Sequence, residues 1–199
     1  MAQVRDMLAE KLSGLYETET QLLSALPEMA TAANHPKLRE VMEKHVVQTE
    51  NQVDRLRLIF EMMGRSPEAK TCPAINGLIE EGRQIVEESK SKDPVAADLA
   101  LIAAAQGVEH YEISCYGTAR ALARQLGEMP IANLLSMSLG EEESADFLLT
   151  SVADPLLQRA MFDELGGTVN LDEIPRIIPS VVAASQTGGD GRKRSVNRT

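Results

Sequence analysis

The chain has 199 residues, 43% of them hydrophobic, enough to bury one good core and pointing to one domain with an appendage. A formal net charge of −10, with no basic stripe carrying interleaved aromatics, repels a phosphate backbone and argues against nucleic acid as a partner. No apolar run reaches the roughly 18 residues of a membrane span, the opening MAQVRDMLAEKLSG is charged where a signal peptide has its apolar centre, and the two cysteines, Cys72 and Cys115, lack CxxC spacing; the expectation is a cytoplasmic chain, off the membrane, with reduced packing thiols.

Residues 2–33 carry Val4, Leu8, Leu12, Leu15, Leu22, Leu26 and Met29 at steps of three and four, the period of an amphipathic helix, which Pro27 is expected to kink. Pro36, after Asn34 and His35, opens a second helix over 36–63, through Leu38, Val41, Met42, Leu56, Ile59 and Phe60 to Gly64. A long connection follows, holding one short helix at about 74–90. Asp93 is placed as an N-cap ahead of Pro94, starting a third helix over 94–126 with Val95, Leu99, Ile102, Tyr116 and Ala123 and ending near Gly127. Pro130 opens the fourth, 130–153, with Ile131, Leu135, Leu149 and Val152 on its stripe. Two helical hairpins joined by a long crossover make the ferritin-like version of a four-helix bundle, whereas an up-down-up-down bundle uses short loops throughout. The expected organisation is an all-α bundle over 1–153, a C-terminal helical extension over 154–185 packed on the bundle or on a second subunit, and a disordered basic tail over 186–199, where GRKRSVNRT follows SQTGGDG.

Every predicted helix breaks its apolar stripe near its middle. The first steps Leu15, Glu19, Leu22; the second Met42, His45, Thr49, Gln52, Leu56; the third Ala105, Glu109, Glu112, Tyr116; the fourth Leu135, Ser138, Glu142, Leu149, with Asp146 one turn beyond Glu142. Counting away from the hairpin turns, Glu19 is level with the stretch from Glu50 to Gln52, and Glu109 and Glu112 are level with Glu142 and Asp146. Glu19 and Gln52 are as far apart in sequence as Glu109 and Glu142, which suggests a duplicated hairpin.

Moving one isolated carboxylate to a dry interior costs on the order of 20 kcal/mol in the idealised limit, against a domain stability of about 5–15 kcal/mol. Such groups must be neutralised by protons, paired cations, water or a metal. No Lys or Arg is expected at that level of the stripes, and hard oxygen ligands with an imidazole suit a pair of iron or manganese ions bridged by carboxylates. The candidate metal ligands are Glu19, Glu109 and Glu142, with Glu112, Asp146 and His45 as ligands or supporting groups. Thr49 and Gln52 are expected to hydrogen-bond within the site, Glu50 to sit on a solvated flank, and Glu141 and Glu143 to belong to a solvated acidic face. Tyr16 and Tyr116 close the apolar wall, with either hydroxyl able to reach a carboxylate. The Glu-x-x-His pattern usual for di-iron and di-manganese bundles is missing.

The stretches LYETETQL (15–22), HVVQTENQVDRL (45–56), CPAINGLIEEG (72–82), ALIAAAQGVEHYEISCYGTARALARQLG (100–127) and EEESADFLLT (141–150) resemble the YciF-like proteins, stress-associated bacterial members of the ferritin-like superfamily. The resemblance runs from about residue 5 to 153 and implies a bundle similar to rubrerythrin's, in a homodimer or larger homo-oligomer. Carried over, the family's polar positions correspond to Glu19, His45, Glu109, His110, Glu112, Glu142 and Asp146; His110 lies about one residue's rotation, roughly 100°, off the stripe and is expected either to support the ligands from behind or to make an interhelical contact. Rubrerythrin-type centres also have two glutamates three apart on the third helix, like Glu109 and Glu112. The chain departs from them in lacking the second-helix histidine at ligand spacing and a rubredoxin-like cysteine quartet, so an electron-transfer peroxidase is not expected. Two readings stand: a di-metal protein of metal or oxidative stress, with activity open between holding iron, oxidising ferrous ion and handling peroxide; or a metal-free helical scaffold working through protein contacts.

Overall fold

A computed structural model describes residues 2–164. They form five helices and, among the described residues, no strand: α1 (Ala2–Ala32), α2 (Pro36–Met62), α3 (Pro73–Ser89), α4 (Pro94–Gln125) and α5 (Met129–Glu164). The chain divides into one compact unit, Met1–Met161, and a second, Phe162–Thr199, of which only the end of α5 is described. The expected extension beyond residue 164 and the basic tail lie outside the described residues. None of the described helices is long and apolar enough to cross a membrane.

Local chemistry sets the helix ends. Pro36, Pro73 and Pro94 each open a helix, where a missing N–H costs no intrahelical bond. The Asp93 carboxylate accepts from the N–H groups of Val95 and Ala96 at 2.9 and 3.3 Å, and the His35 ring accepts from Lys37 N–H at 3.2 Å. Gly64 and Gly127 close α2 and α4 in the left-handed region, at φ of +68° and +76°. There Arg65 N–H returns to Phe60 O and Glu128 N–H to Ala123 O, satisfying carbonyls that the helix end leaves free.

The α1–α2 turn has a further support that the apolar periodicity does not announce. Asp98, on α4 and buried, accepts from the backbone N–H of Asn34 at 2.7 Å and of His35 at 2.9 Å. One carboxylate thus satisfies two turn amides and locks the first hairpin to the second.

Two helices run through prolines. α1 is one helix across Pro27. α5 does not end at 153 as the Asp154–Pro155 pair suggests, but continues through Pro155 to Glu164. An interior proline removes one hydrogen bond and crowds a carbonyl, at a cost of about 3 kcal/mol. Leu156 lies on the buried side of the continued helix and packs with Val152, Leu149 and Met42, and that burial offsets the penalty.

The interior has two apolar clusters built by the same four helices, α1, α2, α4 and α5. One contains Leu8, Leu12 and Leu15 with Leu56, Phe60, Ala119 and Leu135; the other contains Met29 and Ala33 with Leu38, Met42, Ile102 and Leu149. α3 lies against α1 and α4 through Ile75 and Ile79, which pack on Leu22, Leu26 and Val108. On α1, α2, α4 and α5 alike, the polar residues of the broken stripes fall between the two apolar clusters.

Candidate metal centre

Glu19, His45, Glu109, Glu112 and Glu142 are all buried, at 0–3% exposure. Helical spacing explains their convergence: each replaces an apolar residue on a stripe facing the common core, so its carboxyl or imidazole points where a leucine would. One ligand atom from each of His45, Glu109, Glu112 and Glu142 lies within 4.8 Å of the other three. His45 Nε2 stands 3.3 Å from Glu109 Oε1 and 3.5 Å from Glu142 Oε2, in neither case with hydrogen-bond geometry. Glu19 adjoins the group through Glu112, whose carboxyl lies next to its own.

The surrounding polar groups hold these side chains in place. Tyr116 donates its hydroxyl to Glu19 Oε1 at 2.5 Å. Gln52 donates to Glu142 Oε1 and, at 3.1 Å, to Glu141 Oε2. Arg55 donates to Ser138 Oγ at 3.1 Å and forms an ion pair with Glu141. Gln52 thus bonds within the site as expected, but Thr49 does not: it is buried, and its hydroxyl has no hydrogen-bond partner among the described residues.

The electrostatics are those of acids short of positive charge. Burial pushes Glu19 up to about 7, although the hydrogen bond from Tyr116, the adjoining Glu112 carboxyl and the charge of Arg55 pull the other way. Burial likewise raises Glu109 to about 8, opposed by the adjoining Glu142 carboxyl. Glu112 and Glu142 are raised well above the usual carboxylate range, first by burial and then by the charges of the neighbouring glutamates. Burial lowers His45 to about 4, which leaves a neutral imidazole with a lone pair at neutral pH.

Several buried atoms have no hydrogen-bond partner among the described residues: Glu19 Oε2, His45 Nε2, Glu109 Oε2, both Glu112 oxygens and Glu142 Oε2. Orphaned buried acceptors of this kind are costly, and native interiors seldom leave them so. Five carboxylate oxygens and one imidazole nitrogen fit a hard or borderline divalent cation. The donor set is therefore suited to holding a metal ion.

Other candidates fall elsewhere. Asp146 is not drawn into this group: half-buried, it accepts from Gln106 Nε2 at 3.0 Å and faces the exposed His110 at 3.5 Å, tying α4 to α5 at the layer's edge. Glu50 and Glu143 are exposed. Glu141 and Arg55 also depart from the expectation. Glu141 is not on a solvated face but half-buried against Gln52 and Arg55, and Arg55 brings a positive charge to a level where none was expected. Arg55 follows Gln52 by three residues and so shares its face of α2, which is the signal that reveals it. Tyr16 meets Phe60 edge-on at 6.2 Å and has Arg57 over its ring, so its role is packing.

Residues 3–161 match the family described as a domain of unknown function, DUF892. The chain is 38% identical to the protein YciF of Escherichia coli (strain K12) over 154 residues, which is 77% of this chain and 92% of that protein. Among solved structures, that of the E. coli stress protein YciF superposes with a TM-score of 0.75 at 37% identity, covering 80% of this chain and 99% of that one. YcfI of Rhodopseudomonas palustris, for which a structural role has been put forward, superposes with a TM-score of 0.70 at 37% identity, covering 74% and 92%. A Xanthomonas campestris protein at 20% identity, with a TM-score of 0.63 over 81% of this chain and 99% of that one, shares the fold alone. The resemblance read from the helix motifs is thereby borne out.

Proposed function

The chain belongs to the DUF892 family, and from its buried acidic layer we propose that it is a ferritin-like metal-binding protein, holding two iron or manganese ions and serving in metal or oxidative stress. One observation carries this reading: orphaned oxygens of Glu109, Glu112 and Glu142 and the free Nε2 of His45 share one small volume between two apolar clusters. Four long helices around one interior, with α3 on the connection between α2 and α4, support the ferritin-like topology. A similar protein, from E. coli, is called a stress protein.

In this reading His45, Glu109, Glu112 and Glu142 hold the metal, with Glu19 joining through its own unpartnered oxygen. When bound, such ions supply reversible one-electron chemistry toward oxygen or peroxide. The residues around them have separate tasks. Tyr116 orients Glu19, Gln52 orients Glu142, and Arg55 with Glu141 closes the α2–α5 side. The apolar clusters above and below exclude water, which strengthens every charge interaction in the layer. The test is metal content per chain after purification without chelator. About two iron or manganese ions per chain are expected, falling to a small fraction in Glu109→Gln and Glu112→Gln; native protein with no bound transition metal would end the reading.

A second reading has an observation of its own. The carboxyls of Glu19 and Glu112, and of Glu109 and Glu142, adjoin in pairs, and burial favours their protonated forms beside a neutral His45, so the layer can be electrically balanced without an ion. This fits a helical scaffold, in line with the structural role put forward for YcfI. Chelator would then leave the melting temperature unchanged, whereas the metal reading requires it to fall.

A further inference from the structure

The two cysteines are far apart in sequence but meet in space. Cys72 stands at the N-cap position of α3, and Cys115 lies on α4 one turn after Tyr111. The Tyr111 hydroxyl sits between them, 2.8 Å from Cys72 Sγ and bordering the Cys115 thiol. Both thiols are free and half-buried. Together the three residues line an open cavity of about 210 Å³, with Lys11 at its rim and Lys70 there paired to Glu10. No residue of the acidic layer lines this cavity.

We propose that this cavity is a hydroperoxide-reactive thiol site, in which Cys72 attacks the O–O bond of a small hydroperoxide and Cys115 resolves the product as a Cys72–Cys115 disulfide. In the first step the Cys72 thiolate takes the terminal hydroxyl of the peroxide. The O–O bond breaks, the other oxygen leaves and is protonated to water or an alcohol, and Cys72 becomes a sulfenic acid, oxidised by two electrons as the peroxide is reduced by two. In the second step the Cys115 thiolate attacks the Cys72 sulfur. The S–O bond breaks, the S–S bond forms, and hydroxide leaves as water with the proton given up by Cys115. An external dithiol then restores both thiols.

The surroundings assign the two roles. Burial pushes the Cys72 thiol up, but the Tyr111 hydroxyl, the N–H groups of Ile75 and Ala74 and the Lys11 charge together bring it below the ordinary cysteine value. Burial keeps Cys115 above that value. A stabilised thiolate at a cavity attacks first, and a protonated neighbour resolves.

The experiment uses the reduced full chain, stripped of metal by chelator, so that its outcome is independent of the acidic layer. Hydrogen peroxide is expected to lower the intact mass by one hydrogen pair and to yield a Cys72–Cys115 linked peptide that dithiothreitol cleaves. In Cys115→Ser, dimedone is expected to trap Cys72 instead, and Cys72→Ser is expected to give neither product. Before oxidation, maleimide should label Cys72 about tenfold faster than Cys115. Two thiols still titratable after peroxide, or a disulfide formed only between chains, would overturn the proposal, as would labelling at equal rates.

Discussion

Glu109 and Glu112 turn inward on α4 while His110, between them, faces solvent. A carboxylate on an apolar stripe is conspicuous, so Glu19, Glu109, Glu112 and Glu142 were legible from periodicity, and the structure buries all four. Arg55 and Glu141 were not, because long side chains on a flank reach inward without marking the stripe. The cysteine pair was hidden by its separation along the chain. Tyr116→Phe removes the donor to Glu19 Oε1 and leaves a buried oxygen unpaired; urea unfolding should show a loss of about 1–3 kcal/mol. Glu112→Gln replaces an acid that burial holds protonated by a neutral amide of the same shape. In metal-free protein at mildly alkaline pH this variant should unfold at a higher urea midpoint than the wild type while binding less metal.

At the scale of elements, the helix starts were legible because proline and capping residues act within a single turn. The end of α5 was not, since packing of Leu156 onto a cluster distant in sequence decides it. Leu156→Ala is therefore expected to destabilise by about 2–5 kcal/mol, as for a core leucine, whereas a residue on a frayed extension would change little. Chemical unfolding of the purified variant distinguishes the two. Asp98 carries no mark in the sequence for a similar reason, being a cap supplied by one hairpin to the turn of the other. Asp98→Ala leaves two turn amides without their acceptor and should cost about 1–3 kcal/mol, with metal content unchanged.

For the whole molecule, the acidic layer sets how stability responds to pH. Glu19 and Glu109 are raised from an ordinary 4.5 to about 7 and about 8, so the stability they contribute is present below about 4.5 and lost as pH rises through 7 and 8. His45 is lowered from 6.5 to about 4, so its contribution is present above 6.5 and lost as pH falls toward 4. Metal-free protein should thus melt at falling temperature from about pH 6 to pH 9, and bound metal, which favours ionised carboxylates, should flatten or reverse that slope. Thermal scans with and without chelator measure it. The most direct test of the central claim is anomalous diffraction at the iron and manganese edges from crystals of protein purified without chelator. The account predicts anomalous peaks among His45, Glu109, Glu112 and Glu142; a clean map at both edges, with these carboxyls paired only to one another, would contradict it.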